Sequence, residues 1–294
     1  MVNGIFDVRG FLDHYMSSLP VIPSCASEAD WYRYWQSQAL NQLEPALMAL
    51  QGGVHAPNLS CVFTSGYQAA IRNVFPETPD TGWAAFAASE DTRNRQENPP
   101  LLAQTAADCV TLNGTKSWVA QSKNVNYLIV TAKNERNELV TAVVDVNQPG
   151  VELSHRESAS FLSEMSQGFA RFSGVKVASS DCIQDDRLKT FMKRESKFIL
   201  LALSGWFYSQ CLKNRLTLSS EFKSLALDYF TVCQDDAVKV TRLAALDTRL
   251  QALFTRFEDE HDLSNVSNWH GDRALVSTYS KGIQTRAARY ALPA

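Results

Sequence analysis

The amino-acid sequence predicts an α+β protein in which helical segments lie on both sides of a region of strands. In the first 80 residues, apolar side chains recur at spacings of three and four, which is the period of one helix face. From about residue 83 to residue 177, short apolar runs alternate with turn residues, as is typical of strands. The helical period returns after Arg187. We therefore predict an N-terminal helical domain at 1–80, a middle β domain at 81–186 and a C-terminal helical bundle at 187–294.

Helices are predicted throughout the first domain. The first is marked by an apolar stripe of Val8, Phe11, Leu12, Tyr15 and Met16. Ser27 is a suitable N-cap for a second helix, because its hydroxyl can accept a hydrogen bond from a backbone N–H of the first turn. We expect Pro45 to interrupt this helix and Gly52-Gly53 to end the run. A third helix is predicted at about 65–74.

The Asn113-Gly114 pair predicts a tight turn in the middle domain. Because Asn-Gly readily supplies the two positive φ angles of a type I′ turn, we predict a hairpin between Cys109–Leu112 and Lys116–Val119. A second hairpin is predicted from Tyr127–Thr131 and Leu139–Val146. One further strand is predicted at Phe169–Val177.

Long helices are predicted for the last domain. Their approximate ranges are 192–217, 222–260 with a possible break, and 272–290. An apolar stripe indicates packing in an antiparallel bundle, and it consists of Leu243, Leu246, Leu250, Leu253 and Phe257.

Composition and motifs exclude several functional classes. The chain has 28 Lys and Arg against 31 Asp and Glu, and a net charge of −3 has the wrong sign for a nucleic-acid partner. It has no apolar run near the roughly 20 residues that a membrane span needs, and charged residues interrupt any secretory signal near the N-terminus. The common hydrolase, P-loop, dinucleotide-binding and zinc-protease motifs do not occur, and neither the six cysteines nor the five histidines have metal-ligand spacing. We therefore expect a cytoplasmic protein with free thiols and no bound metal.

Two segments of the middle domain carry a family resemblance: Phe86-Ala87-Ala88-Ser89-Glu90 and Leu112-Asn113-Gly114-Thr115-Lys116-Ser117-Trp118-Val119-Ala120. They are similar to the "Thr-Glu" and "Asn-Gly-x-Lys-x-Trp-Ile-Thr" segments of the acyl-CoA dehydrogenase family, whose domain order is also similar. The resemblance implies an antiparallel, β-barrel-like middle domain and a FAD cofactor. The residues that it implies for contact with the flavin are Ser89, Glu90, Trp118, Val119 and Ala120. The alternative for Trp118 is a core residue of a strand.

The resemblance further implies an enzyme of fatty acid metabolism that acts as a homodimer or homotetramer. Such a flavoprotein oxidises acyl-CoA or another acyl thioester at the Cα–Cβ bond, with a glutamate as the base and FAD as the hydride acceptor.

Two positions of this chain compare with the catalytic glutamate of the family. At the more common one, the segment Tyr279-Ser280-Lys281-Gly282 has Ser280, which cannot act as that base. At the other, alignment of Ala202 to Gly205 with an "Ala-x-x-Gly" pattern makes Glu195 the candidate base. The alternative is that Glu195 merely lies in the first turn of a helix, where the helix dipole favours an acidic side chain.

The chain lacks a threonine, an arginine and the C-terminal glutamate of the family pattern, and these three losses support a second reading. Ala120 replaces the threonine, and residues 91–95 replace a Gly-Ser-Asp segment. Residues 219–223 lack the arginine that binds the flavin pyrophosphate in the family, and Lys223 or Arg215 are possible substitutes for it. The alternative function is a catalytically inactive binding or scaffolding subunit with weak or no flavin binding. A third reading is a protein that binds CoA esters without flavin.

Overall fold

The chain forms eight α-helices, two short 3-10 helices and eight strands within the residues that the computed structural model describes, which are 7–157, 159–183, 187–235, 237, 239–263, 266 and 268–291. The helices are α1 (Val8–Ser17), α2 (Glu28–Ser37), α3 (Pro45–His55), α4 (Leu59–Val74), α5 (Leu188–Asn214), α6 (Ser219–Gln234), α7 (Val240–Glu260) and α8 (Trp269–Ala291). The strands are β1 (Trp83–Ala87), β2 (Leu102–Thr105), β3 (Cys109–Ala120), β4 (Val125–Lys133), β5 (Leu139–Asp145), β6 (Val151–His155), β7 (Gln167–Ala178) and β8 (Cys182–Ile183).

The chain divides into two compact units. The first, here called the helical unit, consists of Met1–Cys25, Leu43–Ala70 and Arg194–Ala294. The second, here called the β unit, consists of Ala26–Gln42 and Ile71–Lys193. The N-terminal helices are therefore shared between the two units. None of the described helices has the length and apolar character needed to cross a membrane.

The helix start at Ser27 is confirmed, but the expected role of Pro45 is wrong. The Ser27 hydroxyl accepts a hydrogen bond from the Asp30 amide at 3.2 Å. Helix α2 then ends at Ser37, and Pro45 begins α3, where its fixed φ angle suits the first helical position. Glu44 caps α3 by accepting hydrogen bonds from two amides of its first turn.

The glycine pair at residues 52 and 53 lies inside α3 and does not end it. A Cβ atom on Gly53 would lie 2.1 Å from the carbonyl oxygen of Ala202 on α5. A Cβ atom on Gly66 of α4 would likewise lie 2.4 Å from the Cα atom of Ile199. Glycine is needed at both positions because the backbones of α3, α4 and α5 approach so closely. These contacts fix α5 firmly within the helical unit.

The Asn-Gly hairpin is not formed. Residues 109–120 make one strand, β3, which pairs with β2 and β7. The positive φ of Gly114 (131°) serves a close approach instead, since a Cβ atom there would lie 2.3 Å from the Pro100 carbonyl oxygen. Asn113 Oδ1 accepts a hydrogen bond from the Gly174 amide at 2.8 Å, at a register shift between β3 and β7. The turn-forming pair therefore builds a β-bulge.

The sheet is mixed, which corrects the expected antiparallel, barrel-like arrangement. Its neighbour order is β6-β7-β3-β2-β4-β5-β8, and β1 pairs with β4 away from this path. This order does not close on itself among the described strands. Strand β1 runs parallel to β4, because two other strands intervene along the chain and give the connection room to cross over.

The second predicted hairpin and the strand at 169–177 are confirmed. Strands β4 and β5 pair antiparallel up to Lys133 and Leu139, and β7 contains the whole predicted range. The core of the β unit is formed by inward-facing residues of β3, β4, β5 and β7, including Val119, Leu128, Val144 and Phe172.

The C-terminal helices are also confirmed. The segment 222–260 is broken into α6 and α7, and four residues of the predicted stripe are buried on α7, namely Leu243, Leu250, Leu253 and Phe257.

Candidate active site

Glu195 lies on α5, one turn before the close approach of Ile199 to α4. Because α5 begins at Leu188, Glu195 is not in the first helical turn. The helix dipole acts mainly within the first turn, so it does not explain an acidic residue here. The close helix packing at Gly53 and Gly66 instead gives this part of α5 a rigid support.

Glu195 is half-buried, and desolvation of its carboxyl group raises its pKa from 4.5 to about 7. The hydroxyl of Tyr279 on α8 forms a hydrogen bond with this carboxyl group and lowers the pKa in part. Among the described residues, no cation contributes to the shift, and the neighbouring Arg194 is not among its causes. At neutral pH, this carboxyl group can therefore both accept and donate a proton.

Tyr67 of α4 lies close enough to Tyr279 to influence its ionisation. The pKa of Tyr279 is raised well above its usual value by burial and by the proximity of Glu195 and Tyr67. The ring of Tyr67 is buried and stacks on Phe63 with their centroids 5.2 Å apart. The sequence placed Tyr279 beside Ser280, but it gave no signal that Tyr279 approaches Glu195 or that Tyr67 approaches Tyr279.

Ser280 occupies the position that the family resemblance compares with the more common catalytic glutamate. Its hydroxyl donates a hydrogen bond to Asp247 Oδ2 of α7 at 2.7 Å. Asp247 is fully buried and also accepts hydrogen bonds from the side chains of Gln284 and Gln251. Ser280 thus takes part in contacts between α7 and α8.

Ser89 and Glu90 follow β1 and lie beside one segment of β3. The carbonyl oxygen of Ser89 accepts a hydrogen bond from the Ser117 amide at 2.9 Å. Glu90 forms an ion pair with the buried Lys116 at 2.8 Å and accepts a longer hydrogen bond from the Leu101 amide. Burial lowers the pKa of Lys116, while the pairing with Glu90 opposes that change. The structure therefore brings the two segments singled out in the sequence together within the β unit.

Trp118 lies at a register shift between β3 and β7. Its indole N–H donates to Gln167 Oε1 at 3.2 Å, and Gln167 in turn donates to the carbonyl oxygen of Phe161. Trp118 is partly exposed, whereas the next residue, Val119, packs in the core of the β unit and Ala120 is fully buried. Trp118 can thus offer a ring of fixed orientation, while Val119 can offer a ligand only its backbone.

The two cations suggested as substitutes for the missing arginine differ in their surroundings. Lys223 of α6 forms an ion pair with Asp13 of α1, and its side chain is only 15% exposed. Arg215 follows α5 in a left-handed conformation with φ of 56° and is exposed. No group of three or more possible metal ligands is found in the described part of the chain.

Comparison with known proteins identifies the fold. The chain matches no protein-family model, and no curated protein has a similar sequence. The solved structure of PigA with FAD and proline is 13% identical, with a TM-score of 0.63, and the match covers 99% of both chains. The prolyl acyl carrier protein oxidase AnaB is 14% identical, with a TM-score of 0.58 and coverage of 96% and 97%. A putative acyl-CoA dehydrogenase from Mycobacterium smegmatis is 11% identical, with a TM-score of 0.53 and 96% coverage of each chain.

These likenesses show that the chain has the fold of the acyl-CoA dehydrogenase-like flavoproteins.

Proposed function

We propose that this protein is a FAD-dependent oxidoreductase that oxidises an acyl thioester at its Cα–Cβ bond, with Glu195 as the catalytic base. The observation that carries this proposal is a carboxyl group with a pKa of about 7 in a chain of this fold. A base performs best when its pKa lies near the working pH, because it is then ionised and still strongly basic.

Glu195 accepts the proton from Cα in this scheme. Its carboxylate is formed in about half of the molecules near neutral pH, and it is more basic than an ordinary glutamate by about 2.5 pKa units. The reaction then needs an acceptor for the hydride that leaves Cβ. Bound FAD would supply this chemistry.

Two side chains of the β unit support a contact with an isoalloxazine ring. Ser89 is exposed and carries a hydroxyl, and Trp118 presents a ring whose orientation is fixed by Gln167. Ser89 and Trp118 would contact the flavin with their side chains, and Val119 and Ala120 would contribute backbone groups. Glu90 would act through its ion pair with Lys116, which holds the two segments together. A rigid strand is a suitable support for such contacts.

The substrate class is an acyl thioester, and its carrier is either CoA or a carrier protein. The name of AnaB, an oxidase of a prolyl acyl carrier protein, supports the second carrier, and that of the putative acyl-CoA dehydrogenase supports the first. Both carriers present the same thioester to Glu195. Oxidation of acyl-CoA and of the same acyl group on a pantetheinylated carrier protein should be measured side by side.

The test of the proposal is anaerobic reduction of bound flavin by substrate, followed as loss of its visible absorbance. Glu195→Gln should retain bound FAD and lose flavin reduction by at least about a hundredfold, in line with the usual contribution of a general base. Glu152→Gln makes the same chemical change on an exposed side chain of β6 and should leave the rate unchanged. Normal reduction by the Glu195 variant would exclude this residue as the base.

Two observations favour a second candidate function, an inactive binding or scaffolding subunit. Lys223 is engaged by Asp13, and Ala120 has no hydroxyl, so two contacts that the family resemblance implies for the flavin are weakened. Protein that is colourless after purification and does not bind added FAD would support this candidate.

We also propose that the chain forms a homodimer or homotetramer in the cytoplasm, which light scattering and fractionation would test.

A further inference from the structure

Two consecutive residues of α8 bind two carboxyl groups on different helices. Tyr279 forms a hydrogen bond with Glu195 of α5, and Ser280 donates to Asp247 of α7. All four residues belong to the helical unit. The position of Tyr279 relative to Glu195 therefore depends on how α8 is held against α7.

The contact at Asp247 fixes α8 both along and around its axis. Ser280 and Gln284 are four residues apart, so they share one face of α8. Both donate to the same oxygen, Asp247 Oδ2, at 2.7 Å. Gln284 also donates to the carbonyl oxygen of Ala244, one turn earlier on α7. A slip of α8 by one residue would break all of these bonds together.

Tyr67 of α4 is the titratable group that approaches the pair of Tyr279 and Glu195 among the described residues. Arg194 precedes Glu195 on α5 but does not contribute to its raised pKa. Burial makes an ionised tyrosine unfavourable here, so the hydroxyl of Tyr279 remains a donor over the pH range in which Glu195 titrates. A donor aimed at the carboxyl group favours its ionised form and restricts its rotation.

We propose that Tyr279 is a positioning residue for Glu195, and that Asp247, by binding Ser280, holds α8 in the register that this contact requires. This inference rests on the proposed role of Glu195 as the base. Tyr279 takes no proton from the substrate. It orients the carboxylate that does, and it keeps part of the population ionised at neutral pH.

The first experiment measures the titration of the Glu195 carboxyl group without turnover, by infrared difference spectroscopy of the purified protein with Glu195→Gln as the reference. Tyr279→Phe keeps the ring and removes the hydroxyl. It should raise the midpoint by about one pH unit or more, since a hydrogen bond to a charged group is lost. Tyr290→Phe changes an exposed tyrosine of the same helix and should have no effect.

The second experiment separates positioning from a general structural role. A rise of about one unit would lower the ionised fraction of Glu195 at pH 7 about fivefold. Flavin reduction by Tyr279→Phe should therefore fall about fivefold at pH 7 and recover at higher pH. An equal loss at every pH would overturn the inference.

Ser280→Ala tests the register. It should shift the midpoint in the same direction as Tyr279→Phe but by less, because Asp247 keeps its bond to Gln284. An unchanged midpoint in Ser280→Ala would overturn the role of Asp247, and an unchanged midpoint in Tyr279→Phe would overturn the whole inference. If Tyr279→Phe does not fold, the result of Ser280→Ala decides. A normal shift without any flavin reduction in the wild type would instead refute only the proposed function.

Discussion

Replacing Glu195 with glutamine should stabilise the protein at alkaline pH, although it should abolish the proposed activity. An ordinary glutamate is ionised above about pH 4.5, and unfolding restores that ordinary value. In the folded chain, burial raises the pKa of Glu195 to about 7, so the unfolded state releases its proton first as the pH rises. Glu195 therefore costs stability progressively between about pH 4.5 and pH 7, and the full cost remains above that range.

The shift from 4.5 to about 7 corresponds to about 3 kcal/mol, at about 1.4 kcal/mol for each pKa unit. Glutamine has nearly the same shape, carries no charge and can still accept a hydrogen bond from Tyr279. Relative to the wild type, Glu195→Gln should thus gain up to about 3 kcal/mol between pH 4.5 and pH 8.

Urea unfolding of both proteins at pH 4.5 and pH 8 measures this gain as a difference of differences. Other groups that titrate in this range affect both proteins equally and cancel. Glu152→Gln is the control, because it makes the same chemical change on an exposed side chain. If the free energies of unfolding of Glu195→Gln and wild type differ equally at both pH values, the carboxyl group of Glu195 is not desolvated as described.

Three further changes should alter stability for separate reasons. Burial lowers the pKa of His55 from 6.5 to about 4, so the free energy of unfolding should fall by up to about 3 kcal/mol as the pH drops from 6.5 to 4. His55→Gln should remove most of this loss in acid titrations followed by circular dichroism. Lys197→Met should lower the free energy of unfolding in urea by about 1–3 kcal/mol, because the buried ammonium group binds carbonyl oxygens in the last turn of α6. An unchanged midpoint would argue against that contact. Gly53→Ala should lower the melting temperature by several degrees, since the new methyl group would collide with the Ala202 carbonyl oxygen, whereas no change would show that α3 can move away from α5.

Local signals predicted the elements whose causes are local. The stripe on α7 and the cap at Ser27 depend on residues a few positions apart, and both are confirmed. The hairpin predicted from the Asn-Gly pair is wrong, because the conformation of Gly114 depends on Pro100, which approaches it from another part of the chain. Pro45 is compatible with either the end or the start of a helix, and Glu44, which caps α3, decides between the two.

The candidate site divides in the same way. Comparison of short motifs pointed to Glu195, but its desolvation and its contact with Tyr279 arise from helices far apart in the sequence. A sequence pattern does not report burial, and burial is the main cause of the raised pKa. For the same reason, the sequence does not report that Ser280 of α8 donates a hydrogen bond to Asp247 of α7.

Glu90 and Glu195, the two glutamates indicated by the motifs, have opposite environments, which suit them to different roles. Glu90 is about one-third exposed and forms an ion pair with Lys116, whose side chain is only 2% exposed. Since a buried ammonium group needs a partner, the carboxylate of Glu90 compensates a charge that the strand β3 has already buried. Glu195 compensates no cation in the described residues, and its burial costs free energy instead. A costly, uncompensated carboxyl group is typical of a site that does chemistry, and this cost supports the proposal that Glu195 is the base.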